Sequence, residues 1–460
     1  MKKNRPISRR EFLSTTARIG AGAVTAPLIL SGYASGAPGP NDRINVAYIG
    51  VGRRGNQLMG LPKDGQIVAY ADVNVSRLQE MLEKNEDARI FQDYREMLQE
   101  PDIDAVVIAT PDHWHALHSI HACEAAKDVY VEKPMTLTIR EGRAMVDAAR
   151  KHGRIVQCGS QQRSMEKCRF GCELIRNGRI GTVHTIHGAN YPSPWACDLP
   201  EEDPPAHIDW DMWCGQTEPR GYHPDLYFPR GDGRKYPDGR PYGWISYTPY
   251  SGGEMTGWGA HGLDIIQWAM GTDSTGPVEI WADLDGDSGP VSVFGKQIDN
   301  FGDWPEAKML TSPVSMRYAD GALLHLDGGG PDGGAIFEGD SGKILVDRDK
   351  YDAKPNIDEV KLKESVIGEL PGEFSDSGGY VHLYRSEDHL QNWFDCIRSR
   401  NLPIADVEIG HRSATMCHLG NIARWTGRKL RWDPENERFV DDDSANGYLE
   451  RPMRAPWQIT

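Results

Sequence analysis

The run Ile44-Asn45-Val46-Ala47-Tyr48-Ile49 ends in Gly50-Val51-Gly52-Arg53-Arg54-Gly55, and a segment with helical spacing follows. A second apolar run, Ile67-Val68-Ala69-Tyr70-Ala71, closes on Asp72, about twenty residues on. A strand, a G-x-G-x-x-G turn, a helix and an acid ending the next strand leave few folds open, because each part has its own task. The first glycine permits the tight turn, the second lets backbone approach a pyrophosphate, and the third lets helix pack on strand. Unpaired N–H groups at the helix start then face phosphate. The acid accepts hydrogen bonds from ribose hydroxyls and repels a 2′-phosphate. The pattern predicts a dinucleotide site at Gly50, Gly52, Gly55 and Asp72 with NAD favoured. Arg53, Arg54 and Arg77 are near enough in sequence to leave NADP open.

The same alternation continues to about residue 160. Strand-like runs at 105–110, 129–132 and 155–158 are separated by helical patterns, including 76–84 and 138–151. This β-α-β order implies a parallel, doubly wound sheet with ligands at the carboxyl ends of its strands. Those ends carry Gly50, Asp72, Thr110-Pro111 and Glu132-Lys133-Pro134. From about 166 the texture changes to a helix at 167–177, then alternating segments at 182–190, 277–284, 313–318, 321–327 and 335–346. These read as a largely antiparallel sheet. Helices are expected over 384–399 and 408–425, and a polar tail from Trp432 is expected to wrap the surface. The domains read as 1–40, 41–165 and 166–460. The fold class is α/β, with a nucleotide-binding half followed by an α+β half that carries a large open sheet.

A chain of 460 residues exceeds one ordinary domain. Its net charge of −16 argues against nucleic acid or an anionic membrane surface as partner. No apolar run is long enough for a membrane span. The first forty residues differ from the rest: Ser8-Arg9-Arg10-Glu11-Phe12-Leu13 precedes a mildly apolar stretch from Ala17 to Gly32 and small residues at Ala34–Ala37. That order reads as a twin-arginine export signal and predicts a periplasmic protein. The eight cysteines are scattered without a C-x-x-C, and Cys168 and Cys172 read as two buried thiols.

Residues 191–258 are rich in glycine, proline and aromatics, among them Trp195, Trp210, Trp213, Tyr222, Tyr227, Tyr236, Tyr242 and Trp258. Rings set among acids, arginines and histidines suit a sugar, so this loop is expected to contact substrate; the alternative is that the rings only pin down the loop. Substrate contacts are expected from Arg220, Tyr222, Trp258 and Asp264. His113, His115, His118 and His121 lie at helical spacing but lack the carboxylates or thiols of a metal site. No metal is expected.

Lys133 follows a parallel strand on the cofactor side, where its charge would favour the alkoxide formed as a hydroxyl is oxidised. At this point a resemblance becomes specific. The glycine loop, Asp72, Thr110-Pro111-Asp112-His113-Trp114-His115, Val131-Glu132-Lys133-Pro134 and Gly252-Gly253-Glu254-Met255-Thr256-Gly257-Trp258-Gly259-Ala260-His261-Gly262-Leu263-Asp264 together resemble the Gfo/Idh/MocA oxidoreductases. The resemblance implies an N-terminal Rossmann domain, a C-terminal open sheet and catalysis between them. It implies catalytic roles for Lys133 and His261, and it adds Arg53, Arg54, Thr110, His115 and Glu132 to the cofactor site. Many relatives carry an aspartate four residues before the histidine. Here that position is Gly257, so Asp264, a loop residue or no residue supplies the charge.

The resulting expectation is an NAD-dependent dehydrogenase acting on a ring hydroxyl of a sugar, glycoside or cyclitol, with C3 of a glucoside as the specific case. One alternative is a redox-neutral glycosidase that oxidises, eliminates, hydrates and reduces with the same NAD, using a second base such as Glu254. Another is a non-catalytic sugar-binding protein. An exported enzyme must carry its NAD folded inside it, which favours tight binding and regeneration in place. An open sheet face implies a homo-oligomer.

Overall fold

Short, largely apolar strands form the first layer. They are β1 (Ile44–Ile49), β2 (Gly65–Ala71), β3 (Arg89–Phe91), β4 (Ala105–Ile108), β5 (Asp128–Val131) and β6 (Val156–Cys158). The structure, a computed structural model, describes residues 43–197, 199–228, 243–283, 310–348, 350–354 and 380–459. The segment expected to direct export and the rings Tyr236 and Tyr242 lie outside the described residues. The six strands pair in parallel in the order β3-β2-β1-β4-β5-β6. The order reverses between β1 and β4, which opens a crevice at their carboxyl ends. The helix after β5, Ile139–His152, starts in a capping box between Thr138 and Glu141 and stops at Gly153, which has φ 60°.

Burial on both faces explains why the central strands β1, β4 and β5 are largely apolar. Ala47, Ile49, Val106 and Val129 pack with Leu117 and Ile120 of the helix Asp112–Glu124 and with Met145 and Ala149. Tyr48, Val107 and Tyr130 pack on the other side with Trp393, Phe394 and Ile397. Those last residues belong to the helix His389–Ser399, so a segment from the far end of the chain covers the first sheet.

The second sheet has nine strands. They are β7 (Val183–Gly188), β10 (Glu279–Ala282), β11 (Val314–Arg317), β12 (Leu323–Leu326), β13 (Ala335–Gly339), β14 (Gly342–Asp347), β15 (Lys350–Lys354), β16 (Leu430–Asp433) and β17 (Arg438–Phe439). A separate two-stranded pair joins β8 (Trp195–Ala196) to β9 (Tyr247–Thr248). The large sheet runs β15-β14-β13-β7-β12-β11-β10-β16-β17 and is antiparallel except for β7 beside β12. The segment 335–346, expected as one strand, turns back at Asp340-Ser341 between two glycines that pair with each other. A two-residue loop of this kind is a hairpin turn. On one face Ile186, Leu324, Met316 and Phe337 meet Leu263 and Ile266 of the helix Gly259–Met270 and Met416 and Leu419 of the helix Val407–Thr426. On the other, Leu323, Ile336 and Leu345 stay partly exposed. Among the described residues no helix is long and apolar enough to cross a membrane.

The tail does not simply wrap the surface. Arg451 donates to the buried carboxylate of Glu141 at 2.7 Å, and Trp457 sits edge-on to Trp114 at 5.1 Å. Buried polar groups need partners, and the tail supplies them to the first half.

Asp264 was expected near substrate, and the structure corrects this. Its carboxylate is 1% exposed, accepts from Arg163 at 2.9 Å through both oxygens, and accepts from the Ser413 hydroxyl at 2.7 Å. It sits one helical turn beyond His261 but faces the core, where Arg163 also binds Asp273 at 2.7 Å. Breaking a buried pair strands a charge. Asp264→Ala should therefore lower unfolding free energy by about 3 kcal/mol, toward the low end for such pairs because Asp273 remains. The midpoint of chemical denaturation reads this, and Asp264→Asn should lose less.

Candidate functional site

A cavity of about 610 Å³ opens at the carboxyl ends of β1, β2, β4 and β5 and is closed by loops of the second half. Its floor is the glycine turn. Gly50 has φ 86°, and a Cβ there would lie 2.8 Å from the Thr110 methyl. A Cβ at Gly55 would overlap the Gly50 carbonyl oxygen, whereas one at Gly52 would meet only the Arg77 guanidinium at 3.3 Å. Two glycines thus serve packing, and the second keeps backbone open to the cavity.

Asp72 lies on the same wall. One carboxylate oxygen accepts from the Val51 N–H and the other from the Asn74 N–H, both at 2.9 Å. Each oxygen keeps a second lone pair for a ribose hydroxyl. Arg77 sits 3.8 Å from this carboxylate and over the Tyr227 ring. Open backbone at Gly52 beside a braced, ionisable acid fits a dinucleotide: the diphosphate at Gly52–Arg53 and a ribose at Asp72.

Arg54 and Glu132 line the cavity as a pair, 2.7 Å apart, and Arg54 also donates to Gln161 at 2.9 Å. His115 also lines the cavity, with its ring nitrogens turned to backbone carbonyls. It is 1% exposed, with Nδ1 2.7 Å from the Pro134 carbonyl and Nε2 2.9 Å from the Thr110 carbonyl. A neutral ring donates to one of these two carbonyls, Pro134 or Thr110, and so ties it to the start of the helix Asp112–Glu124.

Lys133 and His261 both line the cavity, close enough for the charge of the lysine to act on the imidazole. Lys133 Nζ donates to the Gly257 carbonyl at 2.9 Å. Burial lowers its pKa, opposed by the carboxylates of Glu132, Asp112 and Glu254. His261 is buried in the first turn of its helix, and its pKa falls well below the usual histidine value. Burial is the main cause, followed by the positive charges of Lys133, Arg348 and Arg54. The imidazole is therefore neutral at ordinary pH and able to accept a proton. Its Nδ1 has no hydrogen-bond partner among the described residues, so Asp264 does not orient it.

Trp258, 38% exposed, lines the cavity beside His261, and the Arg348 guanidinium lies over its ring at 5.2 Å. The other expected substrate contacts do not reach the cavity. Arg220 donates to the Cys197 carbonyl at 2.9 Å and the Leu199 carbonyl at 2.6 Å, and Tyr222 packs edge-on to Trp210 at 5.0 Å. Most of the aromatic loop is a small core of its own: Trp195, Trp210, Tyr247 and Tyr250 are buried together, and Trp210 stacks on Trp213 at 4.3 Å. Only part of the ring set, including Trp213, Tyr227, Trp244 and Trp258, borders the cavity. The histidines of the helix Asp112–Glu124 also pack inward, with His113 on the Trp213 carbonyl and His118 stacked on Trp114.

Two cavity residues escape sequence reasoning. Asp112, 2% exposed, accepts from Ser251 at 2.7 Å, and its carboxyl is pushed up to about 6 by burial, with His115, Ser251 and Lys133 opposing. It stands inside a recognised motif, but nothing local marks it as buried. Arg348 follows β14 and carries no local signal at all.

Residues 44–160 match the model for an oxidoreductase family with an NAD-binding Rossmann fold, and residues 175–459 match that family's C-terminal alpha/beta domain. The second match covers more than half the chain, so the protein belongs to the Gfo/Idh/MocA oxidoreductase family and carries its NAD-binding domain. A glycosyl hydrolase family 109 protein of Shewanella baltica is 32% identical over 219 residues, 40% of this chain and 45% of that protein. Myo-inositol 2-dehydrogenase of Thermotoga maritima is 28% identical over 146 residues, 31% of this chain and 44% of that one. The matched stretches span less than half the length of these curated relatives. The WlbA dehydrogenase of Bordetella pertussis, solved with NADH and UDP-GlcNAcA, superposes with a TM-score of 0.56 at 18% identity, covering 85% of this chain and 98% of that one. The likeness is one of fold.

Removing the Asp72 carboxylate deletes charge-assisted hydrogen bonds to a ribose and the repulsion of a 2′-phosphate. Asp72→Ala should weaken NADH binding by about 10-fold or more while leaving NADPH binding no weaker. Titration of nicotinamide fluorescence with each cofactor measures the difference.

Proposed function

We propose that the protein oxidises a ring hydroxyl of a sugar, glycoside or cyclitol, C3 of a glucoside being the specific case. The observation that carries this reading is the cavity itself, where Lys133 and a neutral His261 from opposite halves of the chain stand beyond the glycine turn and Asp72. Bound NAD supplies the hydride acceptor. His261 takes the proton of the reacting hydroxyl, and Lys133 holds the oxygen as negative charge grows on it. Trp258 offers a ring face to the sugar's C–H surface, and Arg348 offers donors to its hydroxyls.

Similarity to glycosyl hydrolase family 109 proteins supports a second reading, the redox-neutral glycosidase. A ring ketone acidifies the neighbouring C–H, the substituent leaves by elimination, water adds, and the ketone is reduced again. That sequence needs a second base, and Asp112, whose carboxyl burial pushes up to about 6 on the cavity wall, suits it.

The twin-arginine pattern supports export of the folded protein to the periplasm with its NAD already bound. In our reading residues 166–460 form the substrate and oligomerisation half, and the partly exposed apolar residues of the large sheet support a homo-oligomer.

The test is to purify the protein without added cofactor, offer a panel of glycosides and cyclitols, and follow both reduced nicotinamide and carbohydrate product. A ketosugar formed once per bound NAD supports the dehydrogenase. Aglycone released without accumulation of reduced cofactor supports the glycosidase, and no product from any sugar favours a binding protein. Lys133→Ala and His261→Ala should each lower turnover by about 10²- to 10⁴-fold with NAD content unchanged. Unchanged turnover in both would sink the site assignment.

A further inference from the structure

The residues just past Asp72 are held by a segment from the other half of the chain. Val75 N–H donates to the His207 carbonyl at 2.9 Å, Asp209 N–H donates to the Val73 carbonyl at 3.0 Å, and Ile208 bridges to Asn74 between them. Val73 also packs on the aromatic core that contains Ile208, Trp210, Trp213 and Tyr227. Asn74 joins the two sides. Its side-chain oxygen caps the helix Val75–Lys84 by accepting from the Ser76 N–H at 3.0 Å, and its own N–H braces Asp72 at 2.9 Å. Its side-chain NH₂ donates to the buried Tyr227 hydroxyl at 2.9 Å.

Tyr227 in turn carries Arg77. The guanidinium lies over the tyrosine ring, 4.9 Å from its centre, and 3.8 Å from the Asp72 carboxylate. A Cβ at Gly52 would come within 3.3 Å of Arg77 Nη1, so the same cation overhangs the backbone left open for a diphosphate. Gly52, Asp72, Arg77 and Tyr227 all line the one cavity. An acid at this strand end takes the adenosine ribose of a dinucleotide. A guanidinium plane beside it suits both groups attached to that ribose, because it stacks on a purine and pairs with phosphate oxygens. Arginine ordinarily gives up rotamer freedom on binding, and a ring that already holds the guanidinium removes much of that cost.

We propose that Tyr227 is a cofactor-binding residue supplied by the second half: with Arg77 it covers the adenosine diphosphate half of NAD, and the pairing of 73–75 with 207–209 holds that cover shut. Release of the nucleotide then requires the aromatic loop to let go of Asn74, and it is slow for that reason. Slow release is what export with NAD already bound requires, but the rate is a property of the protein in any compartment.

Full-length protein carrying NADH is mixed with excess NAD, and the loss of bound-nicotinamide fluorescence gives the release rate. Tyr227→Ala should release NADH about 10-fold faster than wild type or more. Tyr227→Phe keeps the ring but loses the Asn74 bond, and should release it about 3-fold faster. Two fragments of the cofactor separate a binding role from general loosening. ADP-ribose should bind Tyr227→Ala about 10-fold more weakly than wild type, while reduced nicotinamide mononucleotide should bind both alike. NADH release from Tyr227→Ala no faster than from wild type overturns the proposal, as does an equal loss of affinity for both fragments. Should Tyr227→Ala fail to fold, Tyr227→Phe decides, and unchanged release there overturns it. A wild type that oxidises no carbohydrate counts against the proposed function, while the release rates still decide the role of Tyr227.

Discussion

The half-buried ammonium of Lys133 against the Gly257 carbonyl is the constraint around which the site is arranged. It joins the end of β5 in the first sheet to the turn that precedes the helix Gly259–Met270 on the second. An ammonium removed from water is tolerated only with acceptors and anions around it. Glu132, Asp112 and Glu254 supply the anions, and they come from three separate stretches of chain. The same burial moves the neighbours in opposite directions, Asp112 up and His261 down, and so narrows the gap that ordinarily separates a carboxyl from an imidazole.

Rigid support for that seam comes from contacts that cross between the two halves. Arg143 of the helix Ile139–His152 binds Glu408 at 2.8 Å and also Glu437, Arg150 binds Asp406, and Arg451 of the tail reaches Glu141. The helix His389–Ser399 completes the core under the first sheet. Loops carry the reacting groups, and a scaffold interlocked at several points holds those loops in register.

The aromatic loop shows how composition can mislead. Rings among polar residues read as a sugar platform, yet stacking Trp210 on Trp213 and burying Tyr247 and Tyr250 gives the loop a core of its own. A ring contributes the same apolar area whether it faces a ligand or another ring. Which it faces depends on where the backbone carries it, and no local pattern records that. Trp258 differs because it precedes a helix whose first turn opens on the cavity.

Local rules made much of the fold legible. The glycine turn, Asp72, the strand and helix order and the place of Lys133 all follow from periodicity, steric demands of glycine and strand-end geometry, which act over a few residues. The sequence alone therefore determined a nucleotide-binding α/β half, an antiparallel second half and one end of the site. Only tertiary structure decided that Asp264 answers Arg163 and not substrate, that His115 turns its ring nitrogens to backbone carbonyls, and that Asp112 and Arg348 border the cavity. Each of those outcomes depends on burial and on partners distant in the chain. Desolvation and pairing belong to the packed whole and leave no signature in the spacing of residues.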